Sequence, residues 1–335
     1  MLKLTAIEQK ATFFRELATL VGAGVTVGMS LTTLREQVPP GRLKMAVIEG
    51  AHKAQGGHPF SEVMVRYSDV FTPVEVALVR VGEEAGHLDR LLAQIASYLE
   101  QEYSLRQMIS RETFYPKIVF GALIAFPTVV PAIIATFVMG PGAGFVVLLK
   151  GIIRLLVMVM LALGAYALVR YMIRSNSTFA NSWDLLKLNL PVLGPVIRRL
   201  ALARFSRGLA TLYDAGVGMP QAVSLAADLT GIPAMRGPMQ AAAVKLESGA
   251  SASEVLAEVP YMDDMALRML RTGETTGSVD AMMLRVAEHF EEASGSSLRR
   301  MTTLIMPVAT IIAGIFVLIL AVQVYGGYLS SALNY

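Results

Sequence analysis

Residues 13–25 of the chain read FFRELATLVGAGV, and residues 205–217 read FSRGLATLYDAGV. The second stretch repeats the first at a shift of 192 residues, from Phe13 to Phe205. Two further blocks follow in the same order. GEEAGHLD at residues 82–89 recurs as GETTGSVD at residues 273–280, and a Gly, Ser, Glu, Val pattern recurs between them. The sequence therefore predicts an internal duplication.

The repeated positions are the candidates for structural or partner contacts. The first copy contains Phe13, Arg15, Gly24, Gly82, Glu83, Gly86 and Asp89, and the second copy contains Phe205, Arg207, Gly216, Gly273, Glu274, Gly277 and Asp280. Even the proline that opens an apolar stretch repeats, as Pro116 and Pro307. The order that these repeats indicate is domain, span, span, domain, span.

The composition points to a membrane protein. Of 335 residues, 54% are hydrophobic but only 7% are aromatic, and the mean hydropathy is +0.54. An excess of this kind belongs to long aliphatic runs rather than to one large core. The chain has no Cys, so disulfides, thiolate metal sites and cysteine nucleophiles are excluded. Basic and acidic residues balance in residues 1–117 and in residues 173–303, which argues against a nucleic-acid partner.

Three apolar stretches have the length of about 20 residues that a helix needs to cross a bilayer. They are residues 118–139, 152–172 and 304–325. The intervening residues 140–151, which begin with a Gly/Pro-rich run, are expected to form a short periplasmic hairpin loop. The predicted topology thus has three transmembrane helices.

Basic residues set the predicted orientation, because they favour the cytoplasmic side of a span. The cytoplasmic flanks contain Arg106, Arg111, Lys117, Arg170, Arg174, Arg299 and Arg300, and only Lys150 and Arg154 argue the other way. Residues 1–117 and 173–303 are therefore expected in the cytoplasm, and residues 326–335 form a short periplasmic tail.

Each copy is predicted to be helical, with apolar residues at spacings of three and four. Thr72 to Glu75 has the pattern of a reciprocal helix cap, and Asp263 is the corresponding cap in the second copy. Gly86 and Gly277 suit left-handed helix ends. The last helix of each copy is expected to run almost straight into its span. The predicted fold class is all-α: a polytopic membrane protein with two homologous cytoplasmic helical-bundle domains.

The paired motifs, repeated around three spans, resemble the type II secretion F family, the inner-membrane platform proteins of type II secretion systems and type IV pili. The resemblance implies a six-helix bundle for each cytoplasmic domain and a location in the bacterial inner membrane. It also implies contacts with a cytoplasmic hexameric assembly ATPase, with pilin or pseudopilin and with other inner-membrane platform proteins, and it implies a homo-oligomer. Within the family, the compact form of the chain looks more like the platforms of type IVb-like pili.

Two interpretations of the repeated charged residues stay open. Glu83, Glu274, Asp89 and Asp280 are either partner or ion contacts, or glutamates that bond nearby backbone and aspartates that favour a helix N-terminus. Arg15 and Arg207 either engage the motor or form an ion pair within each domain. The four histidines are not at metal-ligand spacing, so no metal site is expected, and no cofactor is expected either.

Competing functions are less well supported. The run after Gly140 lacks the Lys-Ser/Thr of a phosphate-binding loop, and no span contains the Asp or His of an intramembrane protease, so the chain is not expected to be an enzyme. A small membrane transporter would explain a duplication but would place ionisable groups near the midplane. The alternative scaffold is the platform of a tight-adherence or archaeal-type filament system.

Overall fold

The computed structural model describes residues 4–175, Leu188 and residues 193–333, and the regular elements in these residues are all α-helices. The all-α prediction is confirmed. The helices of the first copy are α1 Leu4–Gly22, α2 Val27–Leu34, α3 Arg42–Gln55, α4 Phe60–Arg66, α5 Pro73–Ala85 and α6 Leu88–Glu112. Two apolar helices follow, α7 Phe114–Met139 and α8 Pro141–Ser175. The second copy contains α9 Leu193–Asp214, α10 Met219–Leu229, α11 Pro233–Leu246, α12 Ala252–Ala257, α13 Asp264–Thr276 and α14 Val279–Leu333.

The helix ends follow the signals in the sequence. Thr72 and Glu75 form the reciprocal cap of α5, with Pro73 at the first helical position. Asp263 caps α13 by accepting a hydrogen bond from the backbone N–H of Met265 at 2.8 Å. The last helix of each copy leads directly into an apolar segment: α7 begins two residues after α6 ends, and α14 continues without a break.

The chain divides into two compact units, Met1–Met108 with Asp184–Ser294, and Ile109–Trp183 with Gly295–Tyr335. Both copies of the duplicated helical region lie in the first unit. Helix α5 of the first copy contacts α9 and α10 of the second, and the buried side chains of both copies form one continuous core. In the first copy this core contains edge-to-face contacts among Phe13, Phe14, Phe60 and Phe71.

In the second unit, α7 and α8 contact each other and are separated by Gly140 alone. The predicted loop over residues 140–151 is therefore wrong, because the chain is helical from Pro141 onward. The glycines in this stretch permit close packing: a Cβ at Gly144 would collide with Thr136, and one at Gly151 would lie 2.8 Å from Thr128 Cγ2. Glycine suggests a turn in the sequence, but in this stretch the glycines allow two helices to pack closely.

Within the described residues, one helical stretch is long and apolar enough to cross a membrane. It runs from Gly144 to Ala165 with a mean hydropathy of 2.5, and the 18-residue apolar window within it contains no buried residue. This window begins eight residues before the predicted second span, because the helix already includes the apolar residues that precede it. Shorter apolar stretches, Thr128–Phe137 and Ala309–Ile319, lie within the other two predicted spans.

Candidate functional site at the repeated helix junctions

The repeated glycines allow two successive helices to meet closely in each copy. A Cβ at Gly82 would lie 3.0 Å from Leu88 Cα, and a Cβ at Gly273 would lie 2.8 Å from Val279 Cα. The turns that follow need left-handed backbone, with φ of +74° at Gly86 and +72° at Gly277. The motif therefore fixes the angle at which the last helix of each copy starts.

The repeated glutamates bond the start of a short helix that is distant in sequence. Glu83 accepts hydrogen bonds from the backbone N–H groups of Phe60, at 2.5 Å, and Ser61, at 3.2 Å, at the beginning of α4. Glu274 does the same at the beginning of α12, where it accepts from Ala252 at 2.5 Å and Ser253 at 3.1 Å. Each carboxylate thus satisfies amide donors that a helix N-terminus leaves free, and its charge suits the helix dipole.

The second copy adds a hydroxyl to this arrangement. The Ser251 hydroxyl donates to Glu274 at 2.8 Å. Burial raises the pKa of Glu274, but the hydrogen bonds from Ser253, Ser251 and Ala252 outweigh burial and hold the pKa below its ordinary value of 4.5. The junction therefore favours the charged carboxylate in the folded protein.

Glu274→Gln is expected to destabilise the full-length protein by about 1–2 kcal/mol at neutral pH, because charge-assisted bonds at a partly exposed site are lost. Since the folded-state pKa is lowered, the stabilisation is present above pH 4.5 and disappears as the pH falls through the lower value. The unfolding midpoint in detergent, measured from pH 7 to pH 3, should fall more steeply for the native chain than for the variant. Glu84→Gln, at an exposed carboxylate, is the matched control; parallel curves for all three proteins would contradict the assignment.

The repeated arginines form equivalent ion pairs in the two copies. Arg15 Nε donates to Glu100 Oε1 at 2.6 Å, and Arg207 Nε donates to Glu291 Oε1 at 2.9 Å. Arg15 is 57% exposed, whereas the Arg207 side chain is 7% exposed. Burial, with the nearby carboxylates Glu102 and Glu288, raises the pKa of Glu291 although Arg207 lowers it. Each arginine pairs with a glutamate of its own copy, and Arg207 also donates to the side-chain oxygen of Gln101 in the first copy. Contact with a motor stays a prediction.

The remaining repeated residues pack in the core, allow left-handed backbone turns or lie at helix N-termini. Phe13 and Phe205 are buried, and Gly24 and Gly216 both have a φ of +84°, which favours glycine. Asp89 and Asp280 lie in the first turn of α6 and α14, where a carboxylate is favoured by the helix dipole. Among the described residues, no group of three acidic, His or Cys side chains is placed to hold a metal ion. The junctions are thus arranged to position helices, and a role in partner contact stays a prediction.

One pair that the sequence analysis missed is a buried ion pair in the first copy. Lys10 Nζ lies 2.8 Å from Glu75 Oε1 and 2.9 Å from the carbonyl oxygen of Val70, and the two side chains are 2% and 1% exposed. At the corresponding positions the second copy has Leu202 and Ala266, both buried. The spacing in the sequence indicates that Lys10 is buried, because it shares the apolar face of α1 with the buried Ile7 and Phe14.

These features define a duplicated all-helical protein in which a glycine and glutamate junction sets the last helix of each copy, and each copy leads into an apolar helix. The family described as type II secretion system (T2SS), protein F matches residues 13–139 and, separately, residues 205–326. The chain belongs to this family. The two matches begin at Phe13 and Phe205, so they confirm the internal duplication predicted from the repeat.

Proteins of both pilus assembly and secretion are similar to this chain. The type IV pilus assembly protein PilC of Thermus thermophilus is 31% identical over 327 residues, which cover 93% of this chain and 79% of that protein. The type II secretion system protein F of Pseudomonas aeruginosa is 29% identical over 324 residues, covering 92% and 79%. The type IV pilus assembly protein TapC of Aeromonas hydrophila is 27% identical over 327 residues, covering 93% and 78%.

Proposed function

We propose that the protein is a non-catalytic platform in the bacterial inner membrane for the assembly of a type IV pilus or a type II secretion filament. The observation that carries this proposal is the family match over both copies, together with relatives named for pilus assembly and for secretion. Each of these two relatives matches more than nine tenths of the chain, so the proposal applies to the whole of it rather than to one copy.

In this proposal residues 118–139, 152–172 and 304–325 span the membrane, and residues 1–117 and 173–303 form two cytoplasmic domains. The exposed apolar side chains of α8 support a lipid environment: Met160 is 74% exposed and Leu161 is 69% exposed. Apolar surface of this extent on a water-exposed helix would be unfavourable, and lipid tails or neighbouring spans would cover it. The apolar stretch that begins at Gly144, within a helix that begins at Pro141, supports a linker between the first two spans that is shorter than residues 140–151.

The proposed partners follow from the same role. A cytoplasmic hexameric ATPase supplies the work, and the platform couples it to the insertion of pilin or pseudopilin into the filament. Other inner-membrane assembly proteins and further copies of the platform complete the complex. Service of a type IVb-like pilus is part of the proposal, and the platform of a tight-adherence or archaeal-type filament system is the alternative.

Crosslinking in the membranes of the native host, followed by capture of the tagged full-length protein and mass spectrometry, tests this proposal. We expect to recover a hexameric secretion-type ATPase together with a pilin or a pseudopilin, and the identity of the filament subunit distinguishes the pilus from the secretion system. An unrelated three-span protein with the same tag is the control. Capture of an intact complex that contains neither the ATPase nor a filament subunit would overturn the platform role.

A further inference from the structure

Two grooves occupy equivalent places in the two copies. The first groove lies between α1 and α6, and the second groove lies between α9 and α14. The lining of the first groove includes Ala18, Thr19, Gly22, Asp89, Arg90 and Ala93. The residues at the same positions of the duplication line the second groove: Ala210, Thr211, Asp214, Asp280, Ala281 and Leu284.

The second groove is covered by a helix from the other copy. Gln94, Ser97, Tyr98 and Gln101 of α6 complete its lining. The Gln94 amide donates to the Asp214 carboxylate, and Arg207 donates to the Gln101 side-chain oxygen. Tyr98 is only 7% exposed. One face of α6 thus covers one side of the groove that the second copy presents.

The first groove has no such cover among the described residues, because every residue that lines it belongs to the first copy. The difference is clearest at the repeated arginine. Arg207 contacts α6 and its side chain is 7% exposed, whereas the side chain of Arg15 is 57% exposed. The surface around the repeated arginine is therefore covered by α6 in the second copy, and the equivalent surface of the first copy is exposed.

The face that would cover the first groove exists on α14. The positions equivalent to the covering residues of α6 are Arg285, Glu288, His289 and Glu292. All four are exposed, and Glu292 also borders a cavity beside α6 of its own chain. Glu292 takes the place of Gln101, so it would meet Arg15 as Gln101 meets Arg207. Arg285 takes the place of Gln94, so it would meet Asp89 and the C-terminal end of α1, where a cation is favoured by the helix dipole. The open groove and the open helix face thus have complementary charges.

We propose that the exposed face of α14 in one chain docks into the first groove of a second copy of this chain. No described residue of α14 lines the first groove of its own chain, so an α14 that covers a first groove comes from another molecule. The contact is heterologous, since it joins two different surfaces, and it builds a ring when the rotation between chains closes. The proposal deepens the proposed function, because it rests on a platform that assembles from several copies.

Introduced cysteines test the contact directly, since the native chain has no Cys. Two differently tagged full-length chains, one with Thr19→Cys and one with Glu288→Cys, are combined in native membranes and treated with a short thiol crosslinker. We expect a crosslinked product that contains both tags. The positive control is a single chain with Thr211→Cys and Ser97→Cys, the equivalent pair inside the molecule. A crosslink in the control without one between the chains would overturn the proposal.

A charge exchange separates this contact from general crowding in the membrane. Glu292→Arg is expected to reduce the crosslink between chains by about tenfold or more, because it places an arginine opposite Arg15. Inverting the ion pair of the first groove, with Arg15→Glu and Glu100→Arg, should restore the yield in the Glu292→Arg background. An unchanged yield in the Glu292→Arg chain would overturn the proposed contact. Capture of the ATPase and pilin by the same variants reports on the platform role independently, so the two proposals can fail separately.

Discussion

Glu75→Ala is expected to destabilise the protein by about 3–5 kcal/mol, because it leaves the ammonium group of Lys10 buried without its counter-charge. Lys10 is 2% exposed, and its acceptors among the described residues are the carboxylate of Glu75 and the carbonyl oxygen of Val70. The substitution also removes the Glu75 half of the α5 cap. The unfolding midpoint of the full-length protein in detergent measures the effect.

The second copy indicates how the loss can be reversed. It has Leu202 and Ala266 where the first copy has Lys10 and Glu75, and both apolar residues are buried. The double variant Lys10→Leu and Glu75→Ala should therefore recover most of the stability that Glu75→Ala loses, since a buried ion pair can be replaced by packed apolar groups at little cost.

The exposed ion pair between Arg42 and Asp69 in the same copy is the matched control. Asp69→Asn should leave the unfolding midpoint nearly unchanged, because water screens both partners. If the double variant is as unstable as Glu75→Ala alone, the predicted rescue is wrong. In that case the ion pair stabilises the fold by more than the packing of leucine and alanine can replace.

Gly273→Ala is the substitution with the second-largest expected effect, a destabilisation of about 1–3 kcal/mol from overpacking. The added Cβ would lie 2.8 Å from Val279 Cα and 3.2 Å from the Val279 nitrogen. These are backbone atoms at the start of α14, so a side-chain rotation cannot relieve the contact, and the helix has to shift.

The first copy provides a graded comparison. At Gly82 the added Cβ would lie 3.0 Å from Leu88 Cα, so Gly82→Ala should be less harmful than Gly273→Ala. Gly164→Ala in α8 is the control, because nothing lies within 4 Å of the added atom. Unfolding midpoints should decrease in the order Gly164→Ala, Gly82→Ala, Gly273→Ala. Equal values for the three variants would mean that the junctions adapt freely and do not fix the helix angle.

Local signals predicted a large part of the candidate site. The cap at Thr72, the left-handed glycines and the helix starts depend on residues within one or two turns, which the sequence presents directly. The linker after Gly140 was predicted wrongly, because glycine and proline mark both turns and close helix contacts, and only the neighbouring helix distinguishes the two. The glycine at 144 meets Thr136 across the α7 and α8 contact, which no local pattern reveals.

The sequence by itself determined the helical class, the duplication and the family of this protein, because periodicity and repeated motifs are properties of the chain order. The tertiary structure alone decided which charges meet. Lys10 pairs with a residue 65 positions away, and Arg207 contacts Gln101 across 106 positions. It also decided that the two copies share one compact unit, in which α6 covers one groove and the equivalent groove has no such cover among the described residues. Such pairings depend on how helices pack, and packing is set by the shape and burial of surfaces that lie far apart along the chain.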